Sequence, residues 1–283
     1  MLDAKTMVAR AGNLISLPGV ALEVNRQLKE PLCSLKDVAA IIEADTALTA
    51  KILKLGNSVL LRNLDPVNTV EKAIGRIGSR RMLDLVMSIE VARSFDGIDN
   101  ELISMEDFWR HSIYTALVAH AIAERCKSVE PGEAFTAGLL HDVGQLIMYS
   151  TVGEQVEECV ARSRDPHETS PSHVIEQDVF DFDHTNVGLE LALQWQLPRS
   201  LQESIYSHHQ PEKLGHPSDL TMVVHMANSL AMLCETDSTD NPEVPAISDG
   251  AWSQLGIARS QIGELIDIGK QQADSLLTAF ISD

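Results

Sequence analysis

Ten histidines are present, all between His111 and His225, and the first 110 residues contain none. That asymmetry assigns any metal chemistry to the second half and leaves the first half a structural or regulatory part. The adjacent pair His141-Asp142 stands in an apolar stretch, GLLHDVGQLIM, read as helix. An imidazole and a carboxylate among Leu and Val need partners, and a metal ion would serve both. A histidine bonded to the backbone beside a capping or ion-paired aspartate would serve equally, and one dipeptide carries little information. The pair has company, however. His111 lies one helix upstream in FWRHS, His184 opens a helix after an acidic turn in DFDHTNVG, and His208-His209 end another in YSHHQP. Alone, each has a plain explanation: a helix-surface residue, a first-turn polar residue, and favourable charge at a helix C-terminus. Together they place a His, a His-Asp pair, a His and a His-His pair on separate helices, the way helical bundles build internal metal sites. His120, His167, His173 and His216 lack comparable surroundings and are assigned to surface or loop positions.

The elements that must carry these residues read as helix after helix, punctuated by Pro, Gly and short polar turns. In the first half, Ser34 caps a helix through Glu43, Asp45 caps the next, and Thr69 opens another that Gly78-Ser79 ends. Leu35, Val38, Ile41 and Ile42 share one helical face, and Leu48, Ile52, Leu53 and Leu55 repeat at helical spacing. Phe95–Asn100 (FDGIDN) is a turn-like junction between two halves. Beyond it the pattern predicts helices near Glu106–Cys126, Gly132–Tyr149, Pro171–Phe180, His184–Gln196, Pro198–His208 and Leu220–Cys234. Glu235–Asp249 reads as an exposed acidic loop, followed by an amphipathic helix over Arg259–Ile281. The division expected is an N-terminal helical unit over residues 1–98, a second helical unit carrying the histidines over 99–235, and a C-terminal acidic loop and helix over 236–283. The fold class is all-α, two packed helical halves with a helical bundle as the second.

Composition narrows the partners. Of 283 residues, 44% are hydrophobic and 4% aromatic, with Leu, Ala, Ile and Val supplying the apolar mass, which favours packed helices over a β-sandwich. No stretch approaches the roughly 20 apolar residues of a membrane span, and the N-terminus lacks the apolar run of a signal peptide. The expected compartment is the cytoplasm. A formal charge of −19 argues against a nucleic-acid or anionic-membrane binder, which needs a positive footprint. Cys33, Cys126, Cys159 and Cys234 lie far apart without a CxxC pair, so reduced thiols are expected.

Several stretches resemble the HDOD branch of the HD superfamily. The first half has LISLPGVALEV, then SLKDVAAIIEADTALTAKILKLGNS and NTVEKAIGRIG; the second has FWRHS, AGLLHDVGQL, DHTNVGLELALQWQLP, SIYSHHQP and VVHMANSLA, in the order of that family. The resemblance runs from about Ile15 to about Cys234. It implies metal ligation by His111, His141 and Asp142, as in HD hydrolases, and by His184, His208 and His209, which resemble the second-metal histidines of HD-GYP phosphodiesterases. Two positions depart from the hydrolytic pattern. Asn228 stands where active members carry a distal Asp, and Gln145 stands where HDxGK carries its lysine. Asn offers a neutral oxygen and binds metal more weakly than a carboxylate, and Gln removes a cation that could stabilise charge on a phosphate.

The functional expectation is therefore a signal-transduction output or regulatory module, metal-binding and weakly or not hydrolytic, that works by contact with a protein partner. The alternative is a metal-dependent phosphohydrolase or phosphodiesterase acting on a nucleotide or cyclic dinucleotide. Iron or manganese suits the His-rich mixed donor set, with zinc and nickel as further candidates. A third reading is a nucleotide sensor using Arg76, Arg80 and Arg81 near a helix start; exposed arginines paired with the abundant carboxylates are the plainer account.

Overall fold

The computed structural model describes residues 2–11, 19–56, 67–94, 104–150, 153–165, 167–236 and 246–281. The junction at 95–100, the Leu17-Pro18 and Asn57-Ser58 motifs, and residues 237–245 of the acidic stretch lie outside them. The described residues form helices and connecting turns with no strand, so the all-α expectation holds. No helix among them is long and apolar enough to cross a membrane.

The chain divides into two compact units, Met1–Leu14 with Gly97–Gln271, and Ile15–Asp96 with Gln272–Asp283. The smaller unit contains α2 (Gly19–Gln27), α3 (Leu35–Glu43), α4 (Thr46–Gly56), α5 (Val70–Ile77) and α6 (Ser79–Ser94). Local signals in the sequence start these helices. Ser34 and Asp37 form a capping box on α3, the Asp45 carboxylate accepts from the Leu48 N–H, and the Thr69 hydroxyl accepts from the Lys72 N–H. Gly78 ends α5 with φ at +92°, a conformation that side chains with a Cβ avoid. Val38, Ile42, Leu48, Ile52, Ile74 and Met82 make the buried core of this unit. At its margin Arg93 bridges Asp45 at 2.7 Å and Glu90 at 2.8 Å.

The larger unit holds every histidine. It opens with α1 (Ala4–Ala11), which packs on α9 (Val143–Ser150) and α12 (His184–Gln194) rather than with the helices that follow it in sequence. Residues 1–14 thus group differently from the sequence-based span 1–98. At the centre runs α7 (Met105–Cys126), buried almost continuously from Ser112 to Ala123 and so apolar around most of its girth. Against it lie α8 (Pro131–Leu140) and α14 (Asp219–Thr236). The α7–α8 approach is tight because Gly138 faces Ala116 and Thr115; a Cβ there would come within 2.9 Å of backbone atoms. The remainder is α10 (Glu154–Ser163), α11 (Ser172–Phe180), α13 (Arg199–Ser207), a 3-10 turn at Pro211–Leu214, α15 (Asp249–Leu255), a 3-10 turn at Arg259–Gln261 and α16 (Ile262–Ile281), whose residues from Gln272 on group with the smaller unit.

One departure from the sequence reading matters for the site. The helix expected over Gly132–Tyr149 is two helices, with His141-Asp142 in the break between them. Neighbouring side chains on an unbroken helix point about 100° apart. At this break both turn to one place, with His141 Nε2 3.1 Å from Asp142 Oδ2.

Candidate metal centre

Asp142 is the hub. His184 Nε2 and His208 Nε2 each lie 3.2 Å from its Oδ1, and His111 Nε2 lies 3.8 Å from its Oδ2. His209 Nε2 approaches His184 Nε2 at 3.0 Å. Two groups of donor atoms result, each within 4.8 Å of one another: Asp142, His184, His208 and His209, and His111, His141 and Asp142. All six candidates are brought together, and Asp142 belongs to both groups. The elements responsible are α7 for His111, the α8–α9 break for His141-Asp142, the first turn of α12 for His184, and the C-terminal end of α13 for His208-His209. Close packing of α9 on α12 closes the arrangement. A Cβ on Gly144 would meet the His184 carbonyl at 2.0 Å and the Gly188 nitrogen at 2.4 Å.

The hydrogen bonds fix which ring nitrogens are available. His141 Nδ1 donates to the Gly138 carbonyl at 2.7 Å, and His208 Nδ1 donates to the Ile205 carbonyl at 3.0 Å. In its neutral form each ring then carries its lone pair on Nε2, directed at the Asp142 carboxylate. His141 Nε2, His208 Nε2 and Asp142 Oδ1 are all buried without a hydrogen-bond partner. Acceptors facing acceptors in a buried place are unfavourable unless a cation lies between them. The residues present therefore fit a metal ion, and the His/Asp group can hold one.

His184 is oriented differently. Its Nδ1 donates to Glu176 Oε2 at 2.6 Å, and its backbone N–H donates to the same oxygen at 2.8 Å. Glu176 is itself buried and accepts from the Tyr149 hydroxyl at 3.3 Å. A carboxylate behind a histidine in this way sets the ring plane and raises its basicity toward a metal. Burial disfavours the charged imidazole, but Glu176 and Asp142 outweigh it and hold His184 well above the ordinary histidine value. Burial likewise opposes ionisation of Asp142, yet His141 and His184 keep it well below the usual carboxylate range. His141 is pushed down to about 4 by burial, with His208 and His111 adding to the effect against Asp142.

The two positions that depart from the hydrolytic pattern are both at the site. Asn228 Oδ1 accepts from His111 Nε2 at 2.9 Å, and His111 Nδ1 donates to Glu235 at 3.2 Å. Both His111 nitrogens face oxygen acceptors; burial opposes the charged ring, but Glu235 and Asp142 raise its pKa. Gln145 lines a cavity of about 320 Å³ beside Asp142, together with His111, His184, His209 and Asn228. Asp107, Glu168 and Glu235 also line it, and no Lys or Arg does among the described residues. Arg76 lies on α5 in the smaller unit. The Arg80 and Arg81 side chains are outside the described residues, so that anion site has no structural reading.

Three participants escaped the sequence reading. Glu176 gives no motif signal, since a lone acid on an amphipathic helix reads as solvated. His225 donates through Nδ1 to the His208 carbonyl at 2.6 Å and accepts from the Ser248 N–H at 3.0 Å, tying the His208 backbone to the start of α15. His173, assigned from sequence to a surface or loop position, instead lines the cavity and stacks on His209 with centroids 4.0 Å apart. The stack puts the first turn of α11 beside the end of α13.

Comparisons with known proteins agree with the all-helical fold. The HDOD domain family matches residues 14–211. An uncharacterized protein of Treponema pallidum (strain Nichols) is 26% identical over 207 residues, 73% of this chain; the match spans 39% of that relative's length. Among solved structures, a Shewanella amazonensis SB2B protein named "putative phosphohydrolase" superimposes with a TM-score of 0.72 at 22% identity, covering 96% of this chain and 97% of the other. An HDOD domain protein of unknown function from Geobacter sulfurreducens gives a TM-score of 0.69 at 23% identity, covering 98% and 92%. A Marinobacter aquaeolei VT8 protein named "putative signal transduction protein" gives 0.69 at 19% identity, covering 97% and 64%. At these identities the structural likeness speaks for the fold alone, while the family match covers most of the sequence. With the ordered histidines and the helical bundle that gathers them, it makes the chain a member of the HDOD domain family.

Proposed function

We propose that this chain is a metal-holding HDOD module that acts in signal transduction through contact with a protein partner, with weak or no hydrolytic activity. One observation carries the metal half of this reading. His141 Nε2, His208 Nε2 and Asp142 Oδ1 are buried, converge, and have no hydrogen-bond partner. Asp142, His184, His208 and His209 would hold one ion, and His111, His141 and Asp142 a second. The nitrogen-rich mixed donor set favours iron or manganese, with zinc and nickel next. When bound, such an ion supplies Lewis acidity and a water of lowered pKa.

The output half rests on what surrounds those ligands. Gln145 adds no charge to the cavity, Asn228 is neutral, and the described lining has carboxylates without Lys or Arg. Among the described residues a phosphate ester would find no Lys or Arg there to stabilise developing charge. The second reading, a metal-dependent phosphohydrolase or phosphodiesterase for a nucleotide or cyclic dinucleotide, is favoured by one feature. Asp142 is shared between two ligand groups, as in sites where two ions clamp one phosphate.

The test is elemental analysis of protein purified without chelator, beside a turnover screen on nucleotides, cyclic dinucleotides and bis(p-nitrophenyl) phosphate. Wild type is expected to carry at least one transition-metal ion per chain and a His141→Ala, Asp142→Ala variant to carry none, with turnover near background in both. Equal metal content in the two proteins sinks the site. Substantial wild-type turnover that disappears in the variant replaces the signalling reading with the hydrolytic one.

A further inference from the structure

Five imidazoles gather around the Asp142 carboxylate, and four of them have their ring planes fixed through Nδ1. His141 donates to Gly138, His208 to Ile205, His184 to Glu176 and His111 to Glu235. His209 is the exception, because its Nδ1 is buried without a hydrogen-bond partner. An imidazole lacking that second bond can rotate about its Cβ–Cγ axis and swing Nε2 away from an ion. What His209 has instead is a parallel face contact with His173, centroids 4.0 Å apart and planes within 13°. His173 Nδ1 also lacks a partner, so the pair offer each other ring faces rather than a hydrogen bond. His173 stands three residues before Glu176 on α11, so one face of this helix reaches both His209 and His184.

We propose that His173 is a positioning residue, whose ring stacks on His209 and holds His209 Nε2 toward Asp142 for metal binding. This rests on the metal-holding reading above. It also gives α11 a single job, bracing two ligands from behind, one by a carboxylate and one by a ring face. His173 is half-buried, so its truncation leaves the core of the unit intact.

The experiment compares His173→Ala and His173→Phe with wild type. Each protein is stripped, titrated with Mn(II) or Co(II) against a competing chelator, and examined metal-free by NMR for the ring-current shift of His209. His173→Ala is expected to bind the ion at the His209 group about 10-fold more weakly or worse and to lose the shift. His173→Phe, which keeps a flat ring, is expected to stay within about threefold of wild type and keep it. Equal affinity in wild type and His173→Ala overturns the proposal. So does a His173→Phe variant as weak as His173→Ala, since a ring nitrogen rather than a ring face would then be at work. Wild type that takes up no ion overturns the metal-holding reading and this proposal together, and differs visibly from a loaded wild type matched by His173→Ala.

Discussion

At the scale of single residues, the site is governed by which atoms are left without partners and which are not. Glu176 is 1% exposed, a place where a carboxylate persists only if it is well paired. Its partners are the ring and backbone N–H groups of His184 and the Tyr149 hydroxyl. Replacing Glu176 by Ala strands both His184 donors. Metal affinity should fall about 10–100-fold, and the metal-free protein should lose about 1–3 kcal/mol. Chelator competition and urea unfolding read the two effects separately. A Glu176→Ala protein that binds metal like wild type would remove Glu176 from the orienting role.

At the scale of elements, the decisive feature is the break between α8 and α9 and the contact of α9 with α12. The break aims His141 and Asp142 at one point, and the contact brings His184 to that point. Gly144 makes the contact feasible, since a Cβ would sit 2.0 Å from the His184 carbonyl, closer than any packing adjustment of a side chain can relieve. Gly144→Ala should therefore cost about 3 kcal/mol or more and weaken metal binding, because α9 and α12 must separate. Gly153→Ala is a suitable control on the same unit, because a methyl group there would have nothing within 4 Å. Denaturant midpoints of the two variants in excess chelator compare them; equal midpoints would mean that the helices separate at no cost.

At the scale of the whole molecule, charge is the dominant property. Lys and Arg number 22 against 41 Asp and Glu, a formal −19. Such an excess destabilises a compact state by self-repulsion, and salt shortens the range of that repulsion from about 30 Å at 0.01 M to about 3 Å at 1 M. The melting temperature of chelated protein should rise with NaCl across this range by roughly 2–4 °C, equivalent to about 1 kcal/mol in a chain of this size. A melting temperature that falls with salt would instead give the larger weight to specific pairs such as Arg93 with Asp45 and Glu90.

Local signals in the chain were enough for much of this. The caps at Ser34, Asp45 and Thr69 and the apolar spacing on α7 depend on residues within one or two turns, so helices and the all-α class are legible from sequence. The six candidate ligands were legible too, because their order along the chain resembles a known family. Tertiary structure alone decided the rest. The break at His141-Asp142 lies inside a stretch whose pattern is continuous, and it follows from packing that no local window contains. Glu176 meets His184 across the single turn between α11 and α12, and His173 stacks on His209 at the far end of α13. Their role depends on distance and angle in space, and neither is written in the spacing of residues along the chain.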